Sequence, residues 1–276
     1  MRPGPATQSR LFGSKSPESI RWRHPDEDRW TKLISCLDRL GRDLATSVRV
    51  PPEDKRRCSI AGLFAQVYKS FRAAVILADR GFPLDANAVL RSAVEAAIAM
   101  HALRSDPCFM DSLIGHQFAV QQKLARVATQ GQQREEFAPE MLQRLDKTAK
   151  GEDANVNGFE GTVTPIIWEQ VAARHCKDLY LAYRVLSTTG AHLNLNRVAD
   201  QIEMDAAGST VTLKIGPTTQ ELEFTLCWAC MILLVSAREF VAMFGLYEFD
   251  DRLRFQLEKI NELSPKDILQ AGGAPG

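Results

Sequence analysis

The sequence has no surplus of charge of either sign. Its 34 Lys and Arg residues balance 34 Asp and Glu, so no global field draws the chain to nucleic acid or to an anionic membrane. A local basic patch stays open. The sequence also lacks an apolar run long enough to cross a bilayer. The longest, Phe224 to Ala237, covers about 14 residues and is closed by Arg238-Glu239, short of the roughly 18 that a span requires. It reads as a buried core helix, and no membrane is expected as a partner. Residues 1–24 hold Pro3, Gly4, Pro5 and Gly13 among several serines and lack the continuous apolar stretch of a signal peptide, which predicts a disordered tail. Self-similarity at a period of 20 to 50 residues is missing too, which argues against a solenoid. The six cysteines are scattered through helix-like segments. They do not form the framework of a small secreted domain, and they read as reduced, in a cytoplasmic protein.

What is present is core material. Hydrophobic residues make up 45% of 276 positions, enough for one large folded unit, expected over residues 25–263 with a second disordered tail over 264–276. Trp30, Leu33, Ile34, Leu37, Leu40 and Leu44 recur at three- and four-residue steps, predicting a helix over roughly Asp26 to Val48. Pro51-Pro52 breaks it, and a second helix is expected from Pro52 to Gly81. Pro83 opens a third, reaching about Ser105, and Pro107 a fourth that carries Met110, Leu113, Phe118 and Leu124. Residues 132–150 are more charged and weaker in periodicity, and the turn formers of 151–158 predict a mobile loop.

Thr164-Pro165 reads as an N-cap and first turn for one long helix ending near Thr189-Gly190. Alternation in Ile202-Glu-Met204 and Val211-Thr-Leu213 then predicts a small β-hairpin. Helix resumes from about Thr218 to Leu246 and again over a charged amphipathic segment near 250–262. The fold class is therefore all-α, a multi-helix bundle with a small hairpin insertion and disordered ends.

The third helix is apolar nearly all the way round, which places it at the centre of the bundle. Arg91 and Glu95 stand one turn apart in a stripe that otherwise holds Leu84, Ala88, Ile98 and Ala102, so both are expected to be partly buried. The simpler reading is a structural ion pair that fixes helix register. The sharper one is a guanidinium oriented by Glu95 and offering its free donors to an anion such as phosphate.

A second polar group closes the long helix: Tyr180, Tyr183, Arg184 and Ser187, with His192 just beyond Gly190. His192 could act as acid or base near neutral pH, or simply cap the preceding helix. As a nucleophile Ser187 lacks the Gly-x-Ser-x-Gly elbow, and no Asp is evidently placed to orient His192. Cys227-x-x-Cys230 sits in an apolar run without a second Cys or His pair, so both read as core cysteines and not as metal ligands. The histidines are too dispersed for a metal motif, and neither a phosphate-binding Gly loop nor a dinucleotide fingerprint appears. No metal and no cofactor is expected.

Ala73-Ala-Val-Ile-Leu-Ala-Asp-Arg-Gly81, Ala88-Val-Leu-Arg-Ser-Ala-Val-Glu95 and Tyr183-Arg-Val-Leu-Ser187 with His192 together resemble a family of bacterial helical proteins, domain-of-unknown-function family 5677. The resemblance runs from near Leu63 to near Ala199. Its most recognisable step is Arg91-Ser92-x-x-Glu95, with Ser187 and His192 as later matches. It implies a bacterial source and one shared polar site in which Arg91/Glu95 and Tyr183/Ser187/His192 converge. It carries no activity across.

Three functions compete. The first is a binding or interaction module, with Arg91, Glu95, Tyr183 and Arg184 around a semi-buried pocket for a small anionic ligand. The second is a metal-independent ribonuclease resembling the helical HEPN group, with His192 and Ser187 as catalytic candidates and RNA as substrate. That group's signature places a His four to six residues beyond an Arg, whereas seven residues separate Arg184 from His192. The third is a structural role with a protein partner, for which the charged helix near Asp250 to Glu262 would serve. A homo-oligomer is compatible with each.

Overall fold

The architecture follows from two helices that are apolar on almost every side. In the computed structural model, which describes residues 27–130, 137–152, 161–188, 202–204, 210–213, 218 and 221–263, these are α3 (Pro83–Ser105) and α8 (Leu222–Phe244). Eight consecutive residues of α3, Ala96 through Leu103, are buried. Four of them are alanines, so neighbouring helix backbones can approach from several directions at once. α2 (Lys55–Asp79) lies antiparallel beside α3, the chain reversing at Gly81, whose φ of 82° is a conformation that glycine adopts without strain. α8 packs on both α2 and α3, and α1 (Glu27–Ser47) and α9 (Asp250–Leu263) pack on α8. Buried apolar side chains from Trp30 to Ile260 form one continuous cluster. Within it Phe64 stacks on Phe240 at 4.3 Å, tying α2 to α8.

The start of the second helix differs from expectation. It begins at Lys55, not Pro52, because the Asp54 side chain accepts a hydrogen bond from the Arg57 N–H, making Asp54 the cap. α4 (Phe109–Gln130) and α5 (Pro139–Lys150) form an antiparallel pair, with Arg126 Nε donating to the Ala149 carbonyl. The weakly periodic charged stretch is thus helical over α5, and Gly151 closes it in the left-handed region. The expected loop lies for the most part outside the described residues, as do both expected disordered tails.

The long helix expected after Pro165 is in fact two. α6 runs Trp168–His175 and α7 runs Lys177–Leu186, with Cys176 between them at φ −150°, ψ 75°. Thr164 and Pro165 stay outside helix because His116 Nδ1 accepts from the Ile166 N–H at 2.9 Å and holds the approach extended. Docking explains the break. His175 bonds Ser105 Oγ at 2.8 Å and its ring stands against Phe109, which fixes α6 at the end of α3. α7 can then turn to lay Leu179, Ala182 and Leu186 into the core. The hairpin is present, with Ile202 opposite Leu213 and Met204 opposite Val211, and its side chains are largely exposed. Among the described residues two helices, Lys55–Asp79 and Leu222–Phe244, are long and apolar enough to cross a membrane, but the more apolar window, in the second, is 72% buried within the fold. It serves as core.

Candidate functional site

Arg91 and Glu95 lie on the face of α3 that meets α7, and the packing of Leu179, Ala182 and Leu186 against α3 brings Tyr183 and Ser187 over the same spot. Arg91 Nη2 pairs with Glu95 Oε1 at 3.1 Å, and Arg91 Nε donates to Ser187 Oγ at 3.3 Å. The guanidinium carbon is 5.8 Å from the centre of the Tyr183 ring, within cation–π range. Ser187 and Thr188 continue α7 as a wider π turn, a local departure from regular helix that often accompanies functional positions. Four of the residues singled out from the sequence therefore meet across two helices.

The electrostatics are those of a half-buried pair. The Arg91 side chain is 29% exposed and that of Glu95 22%. Burial raises the Glu95 carboxyl above its ordinary range, and the Arg91 charge opposes that rise. A guanidinium has five N–H donors; Nε and one N–H of Nη2 are engaged, leaving three uncommitted among the described residues. Ser187 accepts from a group that cannot take up its proton, so among the described residues no base stands against the hydroxyl to activate it. A guanidinium oriented in this way has the donor geometry to meet a planar, oxygen-rich anion.

Arg184 is not part of this cluster. Its side chain is exposed and ion-paired at 2.5 Å with Glu169, which also accepts from Tyr180 at 3.1 Å. Arg184 and Tyr180 together hold the Glu169 carboxyl below its usual range, and the three side chains bridge α6 and α7 across the break at Cys176. His192 lies outside the described residues. Cys227 and Cys230 are buried in α8, and burial pushes the Cys230 thiol well up. Among the described residues no three His, Cys, Asp or Glu side chains are grouped to hold a metal ion.

Three polar clusters were not anticipated. Glu239, buried in α8, pairs with Arg104 and lies 3.5 Å from the Nδ1 of His101, which is itself buried in α3. Burial is the main cause that keeps His101 below its ordinary value, and its Nε2 has no hydrogen-bond partner among the described residues. Asp38 of α1, also buried, accepts from Tyr68 Oη and Arg42 and faces Arg72, bracing α1 against α2. Deep in the core the Thr225 hydroxyl donates to Asn87 Oδ1 at 3.0 Å. Glu239 carried a legible signal: three residues after Ser236 and one before Phe240, it falls on the core-facing side of an apolar helix. The other two depend on pairings between helices that spacing does not reveal.

No curated protein and no solved structure matches the chain. The model of a family of unknown function, DUF5677, matches residues 58–209, a segment that holds Arg91, Glu95, Tyr183 and Ser187 together with the helices that position them. The chain belongs to that family, DUF5677.

Proposed function

We propose that the protein is a binding module in which Arg91 takes an anionic ligand of the phosphate or carboxylate type. One observation carries this reading: the guanidinium is held from its own helix by Glu95 and from the facing helix by Ser187, yet keeps three donors uncommitted among the described residues. An ion pair whose only task was helix register would need neither the hydroxyl from α7 nor the aromatic face of Tyr183. Glu95 orients the guanidinium and offsets its charge, so the site favours ligands that bring at least two oxygens and bind bidentately. Tyr183 supports the cation from one face and Ser187 sets its rotation.

A ribonuclease reading would lean on Arg184 and His192. Arg184 is committed to Glu169 on an exposed face, so the binding reading has the better physical support.

The test is a thermal-shift screen of wild type and Arg91→Ala with inorganic phosphate, a nucleoside monophosphate and a short RNA. The reading predicts a saturable rise in Tm for at least one of these, about 2.7 kcal/mol of stabilisation when the ligand is present at 100 times its Kd. Arg91→Ala should lose the shift altogether. A shift that Arg91→Ala retains would place the ligand elsewhere, and the absence of any shift would count against the module.

A further inference from the structure

A cleft between α1 and α9, helices that take no part in the Arg91 cluster, joins an unpaired amide to an excess of positive charge. On α1 it is lined by Arg29, Lys32, Leu33 and Cys36, and on α9 by Phe255, Gln256, Lys259, Glu262 and Leu263. Residues three and four apart share one helix face, so each helix turns a single stripe toward the other. The volume is about 320 Å³, at the small end of the range for small-molecule sites.

Two observations separate it from an ordinary groove between helices. Gln256 is only 9% exposed, yet its amide has no hydrogen-bond partner among the described residues, and neither amide atom is closed off from solvent. Amides buried this deeply ordinarily find a partner, and the cleft that Gln256 lines is where one can reach it. The charge is unbalanced as well. Glu262 accepts from Lys259 at 2.9 Å and pairs with Arg29 at 3.4 Å, while Lys32 has no carboxylate partner among the described residues. Three cations therefore face one carboxylate across the rim. The buried Leu33 and the half-exposed Phe255 ring supply an apolar wall.

We propose that this cleft binds a small organic anion: a flat apolar body lies against Leu33 and Phe255, its acidic group meets Lys32, and a polar atom on the body bonds the Gln256 amide. An uncharged ligand would leave the surplus positive charge uncompensated, and a bare inorganic anion would leave the wall and the amide unused. Both helices lie outside residues 58–209, the segment matched by the family, so this site stands or falls independently of the Arg91 cluster.

The test is isothermal titration of the full chain with indole-3-acetate and with indole-3-acetamide, which has the same body and ring N–H but no charge. The acid should bind saturably and the acetamide about tenfold more weakly. Gln256→Leu keeps the volume and removes the amide, Lys32→Met keeps the chain length and removes the charge, and each should weaken binding of the acid about fivefold. Arg91→Ala should leave it unchanged. Cys36 reports where the ligand sits: at saturation its modification by a thiol reagent should slow, while Cys108, exposed outside the cleft, reacts as before. The proposal is overturned by absence of saturable binding of the acid, by equal affinity for acid and acetamide, or by an affinity that either cleft variant leaves intact. Loss of binding in Arg91→Ala, or a Cys36 as reactive with ligand as without it, overturns it too.

Discussion

Replacing Arg104 with alanine should cost stability in a way that depends on pH, with His101 as the reason. Arg104 is 44% exposed, but the Glu239 carboxylate it pairs with is only 5% exposed. Removing one partner of a fully buried pair costs about 3–5 kcal/mol. Water reaches Arg104 from one side, which weakens the pair, so a loss of about 2 kcal/mol is expected at pH 8. At that pH His101 is neutral and cannot replace the lost charge. In the wild type, burial holds the His101 imidazole below its ordinary value, Glu239 opposes that shift, and Arg104 adds to it.

The folded wild type therefore carries fewer protons than the unfolded chain just below about pH 6.5, and stability falls as pH falls through that window. Without Arg104 the imidazole binds a proton more readily and pairs with Glu239 at 3.5 Å. The difference between variant and wild type should then shrink to about 1 kcal/mol at pH 6, the remaining loss being that of a charge-assisted contact. Urea unfolding of both proteins at pH 8 and pH 6 reads this directly, and the double variant with His101→Gln should lose the relief at low pH. An equal loss at both pH values, or a larger one at pH 6, would refute the coupling.

Other outcomes follow from local geometry. A Cβ on Gly41 would lie 2.6 Å from the Tyr68 ring, so Gly41→Ala should displace the ring, disturb its bond to Asp38 and cost about 1–3 kcal/mol by chemical denaturation. Thr225→Val removes the hydroxyl that meets the buried Asn87 Oδ1 and should destabilise by about 1–3 kcal/mol, whereas the same change at the exposed Thr46 should be nearly silent. Cys36 and Cys108 are exposed, while Cys176, Cys227 and Cys230 are buried, with the Cys176 thiol pushed up to about 12. A thiol reagent should therefore modify the first two rapidly, and the buried three only after denaturation. Burial raises the Glu95 carboxyl, so binding of an anion at Arg91 should tighten as pH falls toward the range in which Glu95 takes up a proton.

Much of the fold was legible because its signals are local. The apolar character of α3 on all sides, bounded by Pro83 and Pro107, placed it at the centre, and the stripe from Trp30 to Leu44 placed α1. The four-residue spacing of Arg91 and Glu95 in an apolar stripe marked a half-buried pair before any contact was known. What was not legible depends on partners distant in sequence. Periodicity runs unbroken from Trp168 to Leu186, and only the bond from His175 to Ser105, 70 residues away, explains why the helix breaks at Cys176. Arg184 shares a helix with Tyr183 and Ser187, and its commitment to Glu169 depends on how α6 folds back. The register of Glu239 between Ser236 and Phe240 marks it as core-facing, but that Arg104, 135 residues away, is its partner depends on how α3 packs on α8.

The most direct test of the central claim is isothermal titration of inorganic phosphate into wild type, Arg91→Ala and Glu95→Gln at one pH and ionic strength. Glu95→Gln keeps a hydrogen-bond acceptor for Arg91 while removing its charge, so phosphate should bind the variant several-fold more tightly than wild type. Arg91→Ala should show no binding. Equal affinity in all three proteins, or no measurable binding in both wild type and Glu95→Gln, would contradict an anion site at Arg91 and leave the pair as a structural tie between α3 and α7.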